Sequence, residues 1–162
     1  MNNFLDKHYN ELKKVAPECA VLLNSDGSLP LKKGAKIALY GNGARNTVKG
    51  GTGSGGVTSR KFNTCEQALI SAGFEITTQN WLDLYDQIKK EYFQKECDRI
   101  VKESEKGNVD FIFHALLSLK SMEPDYNLPL DGDGDTAIYV LTRVSGEGVD
   151  RKAKKGDFYL LI

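Results

Sequence analysis

The residue most pointedly placed to do chemistry is Glu147, in Ser145-Gly146-Glu147-Gly148. Its glycine neighbours have no side chains to bury it and favour neither helix nor strand. A carboxyl on such a tip can swing into a cleft and donate a proton. By itself, the same residue also reads as a solvated loop glutamate. A second feature is the glycine-rich stretch from Gly41 to Val57. It opens with Gly41-Asn42-Gly43-Ala44-Arg45-Asn46 and continues to Gly50-Gly51-Thr52-Gly53-Ser54-Gly55-Gly56. So much glycine lets backbone approach a ligand closely, and a phosphate cradle is one use. However, Asn46 stands where the dinucleotide fingerprint wants its third glycine, and no Gly-Lys-Ser/Thr occurs. A turn-rich loop without a ligand is an equal reading. Asp131-Gly132-Asp133-Gly134-Asp135 looks like a calcium loop, but Thr136 replaces the sixth-place glycine and Thr142 the twelfth-place glutamate. It reads as a polar turn before a strand.

These loops need elements to hold them. Phe4, Leu5, Tyr9, Leu12, Val15, Cys19, Leu22 and Leu23 recur at helical spacing, with Pro17 expected to kink the helix or start a second segment. Lys36 to Tyr40 is a short buried strand running into the glycine-rich stretch. Thr64 and Gln67 form a capping box for a helix to about Ala72, stopped by Gly73. Phe74 to Thr78 is the next strand. Asn80 is the expected cap of a long helix with Trp81, Tyr85, Ile88, Tyr92, Ile100 and Val101 on its stripe, ended by Gly107-Asn108. Val109 to Phe113 is a strand candidate, residues 118 to 135 are irregular, and Thr136 to Val144, apolar on both faces, reads as a central parallel strand. Alternating strands and helices without hairpins give an α/β domain with a mostly parallel sheet. Ligands of such sheets bind outside the carboxyl ends of the strands. If the strands before Gly41 and Ser145 are parallel neighbours, both loops share one rim.

Composition narrows the function. In 162 residues the basic and acidic counts are equal at 22 each, which gives no sign of a nucleic-acid partner. No apolar stretch spans a bilayer, so no membrane partner is expected, and MNNFLDKHYNELKK has no secretory apolar region. The expectation is a cytoplasmic protein. Cys19, Cys65 and Cys97 lie far from one another and from His8 and His114, so neither a disulfide framework nor a metal site is expected. The cysteines are expected to be buried on apolar helix faces, and His114 to be a core histidine.

Three segments in order resemble glycoside hydrolase family 3, in its β-glucosidase-like members. The first runs from Val15-Ala16-Pro17-Glu18-Cys19-Ala20 through Leu29-Pro30-Leu31. The second is Ile37-Ala38-Leu39-Tyr40-Gly41 with Gly50-Gly51-Thr52-Gly53-Ser54-Gly55. The third runs from Asp135-Thr136-Ala137-Ile138 through Ser145-Gly146-Glu147-Gly148-Val149-Asp150-Arg151-Lys152 to Lys155-Gly156-Asp157. The resemblance implies a three-layer α/β/α sandwich with a mostly parallel sheet. Residues 1–162 would be part of the family's C-terminal-type domain, here placed first and incomplete, with the (β/α) barrel absent. It also implies retaining hydrolysis of β-glycosidic bonds without a cofactor, by a carboxylate nucleophile on the barrel and a carboxylic acid/base. By position Glu147 is the acid/base, with Asp150 the lesser candidate, and Gly51, Thr52, Gly53 and Ser54 line the sugar cleft. The implied partners are a β-glucoside or related oligosaccharide and the barrel of the same enzyme. The isolated chain would be inactive, and its open sheet edge would favour self-association. Two other readings stand beside this one: a nucleotide- or phosphate-binding domain using Gly41 to Gly56, and a non-catalytic regulatory or interaction fragment.

Overall fold

The computed structural model describes residues 3–50, 56, 58–59, 62–119, 123–144 and 151–154. The chain divides into two compact units, Met1–Lys32 and Lys33–Ile162. In the first, helix α1 (Asn3–Val15) passes into a 3₁₀ turn, Ala16–Cys19, with Pro17 in its first turn. Proline lacks an N–H and its ring collides with the carbonyl four residues back, so the α-helix cannot run through it. The chain is extended from Ala20, so Leu22 and Leu23 fall outside the helix whose spacing they extend. Phe4, Leu5, Leu12 and Val15 are exposed.

The second unit is an α/β layer: a parallel three-stranded sheet flanked by helices. Strands β1 (Lys36–Tyr40), β2 (Glu75–Ile76) and β3 (Thr136–Tyr139) lie in the order β2-β1-β3. Ile37, Ala38, Leu39 and Tyr40 are all buried, and this continuous apolar run suits a strand covered on both faces. The expected central strand, Thr136 to Val144, is instead a flanking strand in the described sheet. It leaves the ladder after Tyr139, and its residues alternate between half-buried and exposed.

Helix α2 (Cys65–Ser71) starts as its sequence dictates. Gln67 N–H donates to Thr64 Oγ1 at 3.1 Å, and Thr64 N–H donates to Gln67 Oε1 at 3.0 Å. Gly73 follows with φ 88°. Helix α3 (Gln79–Glu105) starts one residue ahead of the expected cap, Asn80. Thr78 occupies the cap position, but its hydroxyl is committed to the sheet: it accepts from Leu39 N–H at 2.8 Å and donates to Leu39 O at 2.7 Å. On α3, Trp81, Leu82, Tyr85 and Ile100 are buried, while Val101 is exposed. Trp81 stacks on Tyr85 with centroids 5.6 Å apart, and Tyr40 meets Trp81 edge-on at 5.2 Å.

Val109 to Phe113 is not a strand but the first half of helix α4 (Val109–Ser118). Asn108 accepts from Phe111 N–H at 3.2 Å and so caps it, a local bond that outweighs the strand preference of Val, Phe and Ile. α4 packs on α3. The 131–135 turn is bound into the sheet. Lys36 N–H donates to Asp135 Oδ2 and Asp135 N–H to Lys36 O, both at 2.8 Å, and Gly132 N–H donates to the Tyr40 hydroxyl at 2.6 Å. Among the described residues no helix is long and apolar enough to cross a membrane.

Two expectations about single residues are overturned. Cys19 is exposed and Cys65 and Cys97 are half-buried, because Cys19 falls on the 3₁₀ turn and Cys65 is the first residue of α2. His114 is exposed on α4, beside the Phe113 ring at 5.8 Å. Ala115 takes the buried position next to it.

Candidate functional site at the sheet rim

The parallel register Ile37↔Thr136 through Tyr40↔Tyr139 brings the carboxyl ends of β1 and β3 side by side. The chain segments that lead into the two loops singled out by sequence, from Gly41 and from Val140, therefore leave from one rim. The loop after β1 is built to hold the chain after β3. Gly41 has φ +93°, and a Cβ there would run into the Val140 carbonyl. A Cβ on Gly43 would lie 2.6 Å from both Thr142 Cγ2 and Val140 Cγ1. With no side chains in the way, Val140 N–H donates to Tyr40 O at 2.8 Å and Gly43 N–H to Val140 O at 2.9 Å. Between the glycines, Asn42 is 3% exposed and bonds both backbone groups of Thr142. It accepts from the N–H at 2.9 Å and donates Nδ2–H to the carbonyl at 3.0 Å.

The same loop is fastened to α2 and α3. Glu66 N–H donates to Ala44 O at 3.1 Å, and Cys65 N–H to Thr47 Oγ1 at 2.9 Å. Arg45 spends all five guanidinium hydrogens. Nε and Nη2 grip Glu66 at 2.7 and 3.0 Å, Nη1 reaches Asp83 at 2.6 Å and Asp86 at 3.0 Å, and Nη2 reaches Gln79 at 2.8 Å. The Glu66 bonds above all, then those to the two aspartates, hold this guanidinium more firmly protonated than usual. The first three amides of α2 are thus taken by Thr47, Ala44 and Thr64, and Gly43 and Ala44 amides by Val140 and Gly41 carbonyls. A phosphate would need such amides free. These five amides are not free for one, and the glycines at 41 and 43 are explained by packing against 140–142.

A cleft of about 330 Å³ opens between the rim and α3. Asn46 and Val48 line it from the first loop, Thr142 and Val144 from the second, and Tyr92 and Phe93 from α3. At its edge Glu123 accepts from Lys89 Nζ at 2.8 Å and from the Tyr85 hydroxyl at 2.5 Å. Burial, then the Glu123 bond, pushes the Tyr85 hydroxyl well above the ordinary tyrosine range, and burial also raises Tyr92. No group of three or more His, Cys, Asp or Glu among the described residues is arranged to hold a metal ion.

Glu147, Asp150 and the segment Gly51, Thr52, Gly53, Ser54 lie outside the described residues. Their stems are described. Val144 and Arg151 flank the Glu147 loop, and Arg151 Nη2 donates to Val144 O at 2.7 Å across its neck. Asn42, Arg45, Glu66 and Arg151 were not marked out by sequence reasoning. The only hint was Arg45, a charge inside a glycine-rich run.

The sequence from residue 20 to residue 157 matches the model of the glycosyl hydrolase family 3 C-terminal domain. The chain belongs to that family. Its relatives include beta-glucosidase A of Butyrivibrio fibrisolvens, 31% identical over 147 residues, covering 90% of this chain and 16% of that protein. Beta-glucosidase of Ruminococcus albus is 28% identical over 170 residues, covering 98% of this chain and 15% of that protein. Among solved structures, beta-glucosidase 3B of Thermotoga neapolitana in complex with glucose superposes with a TM-score of 0.65 at 31% identity, over 96% of this chain and 20% of that one. The same enzyme in complex with alpha-D-glucose gives 0.62. This family 3 chain therefore spans 15–16% of the two relatives' lengths and forms part of an α/β sandwich.

Proposed function

We propose that this chain supplies the acid/base carboxyl to a β-glucosidase-like retaining hydrolase, and that Glu147 carries it. The observation that carries the reading is the parallel pairing of β1 with β3. Within a family 3 C-terminal domain, it brings the stem of the Glu147 loop beside the stem of the glycine-rich loop. Glu147 would protonate the leaving glycosidic oxygen, then deprotonate the water that releases the sugar. Gly51, Thr52, Gly53 and Ser54 would line the sugar cleft. The substrate is a β-glucoside or related oligosaccharide. The nucleophilic carboxylate, about 5–5.5 Å from the acid/base in retaining enzymes, would come from a separate barrel of the same longer protein. An acid without that nucleophile forms no glycosyl-enzyme intermediate, so this chain alone would not turn over glycosides.

The test is Glu147→Ala in the intact hydrolase with two substrates. An alkyl β-glucoside has a poor leaving group and needs the proton, so its glycosylation step should slow by roughly 10²–10⁴-fold. A dinitrophenyl β-glucoside needs none, so its glycosylation should survive and the intermediate should accumulate. Azide, which requires no base, should restore turnover and give a β-glycosyl azide. Equal slowing of both substrates with no azide effect would remove Glu147 from the role, and Asp150→Ala would then go through the same comparison.

A further inference from the structure

Asn42-Gly43 is the one Asn-Gly pair in the sequence. Such a pair carries its own chemistry. The amide nitrogen of the following residue can attack the asparagine side-chain carbon, and glycine puts no Cβ in the way. The fold holds this pair away from that attack. Asn42 and Gly43 are the central residues of a turn closed by Ala44 N–H donating to Gly41 O at 3.1 Å. The attacking nitrogen is engaged, since Gly43 N–H donates to Val140 O at 2.9 Å. The carboxamide under attack is engaged too. It accepts from Thr142 N–H at 2.9 Å and donates to Thr142 O at 3.0 Å, and Asn42 is 3% exposed. Cyclisation therefore waits until segment 140–142 leaves the loop.

We propose that Asn42-Gly43 is a latent deamidation site, closed by the docking of 140–142 and opened by its release, whose reaction then prevents that segment from docking again. In the released chain the Gly43 nitrogen loses its proton to base and bonds to Asn42 Cγ. The Cγ–Nδ2 bond breaks and ammonia leaves, giving a cyclic imide. Water then opens the ring. Addition at Cγ gives aspartate, and addition at the main-chain carbonyl carbon gives isoaspartate, in which the chain runs through the side chain. The net change is one water in and one ammonia out, with no oxidant or reductant. Either product undoes the clamp. Aspartate has no N–H for the Thr142 carbonyl and would set a carboxylate against it in a site almost closed to water. Isoaspartate adds a methylene to the backbone, so the turn from Gly41 to Ala44 loses its register. This chemistry is independent of the acid/base reading of Glu147.

The test compares the full chain in buffer and in urea at the same mildly alkaline pH, with aspartate and isoaspartate at each asparagine followed by peptide mapping. A reaction of an opened form runs at the rate of the exposed chain multiplied by the open fraction. The two Thr142 bonds and the Val140 bond must open together, so Asn42 should convert about 10²-fold more slowly in buffer than in urea. Asn24 is the internal reference. It is exposed and accepts from the adjacent Ser25 N–H, so its rate should differ little between the two conditions. Thr142→Pro removes the N–H that Asn42 accepts and leaves the Asn-Gly pair intact. It should speed conversion of Asn42 in buffer by about 10-fold and leave the urea rate unchanged. Asn42→Asp, which installs one product directly, should unfold at lower urea than the parent chain. Equal rates for Asn42 in buffer and in urea would overturn the protected state, and this comparison decides even if Thr142→Pro fails to fold. A folded Thr142→Pro with the parent's rate in buffer would remove the clamp from the cause. An Asn42→Asp chain with the parent's urea midpoint would overturn the claim that the product cannot dock.

Discussion

Replacing Arg45 with methionine keeps the apolar stem and removes the guanidinium. It therefore isolates the knot that fastens the first rim loop to α2 and α3. The Arg45 side chain is 21% exposed and that of Glu66 12%, so their bidentate pair is largely out of water. Breaking a buried pair by removing one partner costs about 3–5 kcal/mol, because the other charge stays buried. Partial exposure of the arginine lowers that figure. Asp83 and Asp86 are 67% and 41% exposed, and such pairs add about 0–1 kcal/mol each. The expected loss for Arg45→Met is about 3 kcal/mol, read from urea unfolding of the chain at neutral pH. A companion variant tests the cause: adding Glu66→Gln removes the stranded charge and should recover about 1–2 kcal/mol. A deficit below about 1 kcal/mol, or no recovery on adding Glu66→Gln, would show that the pairs are solvated and the reasoning wrong.

Two further outcomes follow from packing and burial. Gly43→Ala should cost about 1–3 kcal/mol in the same unfolding assay, since its Cβ must displace the side chains of Thr142 and Val140; a neutral effect would mean that segment 140–142 sits more loosely than its bonds indicate. The raised Tyr85 hydroxyl favours the folded state only while tyrosine stays protonated in the unfolded chain. Its contribution is complete below about pH 10 and is lost above it at about 1.4 kcal/mol per pH unit. Tyr85→Phe should therefore flatten the fall in stability between pH 9 and 11, and an unchanged slope would place the hydroxyl in contact with water.

What the sequence by itself determined are features made within a few residues of chain. The Thr64–Gln67 capping box, the positive φ of Gly73 and Gly107 and the break at Pro17 all stand where their residue types put them. The buried run Ile37 to Tyr40 was equally legible, because a strand covered on both faces has no polar alternation to hide. Tertiary structure decided the points where a local preference met a distant partner. Thr78 binds Leu39 instead of capping α3 with its side chain, and the strand after Thr136 stops at Tyr139 because the Gly41–Gly43 loop takes over the bonding of Val140 and Thr142. Val109 to Phe113 went the other way: the nearby Asn108 cap made a helix of a short apolar run whose spacing fits either element. Within the candidate site, the glycines around Glu147 mark that residue in the sequence. The residues that hold the loop after β1 and the chain at 140–142 do not show there. Asn42 grips backbone that any residue at position 142 would offer, 100 positions away, and Arg45 draws its partners from two helices. A side chain that binds a distant peptide group leaves no pattern along the chain, so only folding brings the two together.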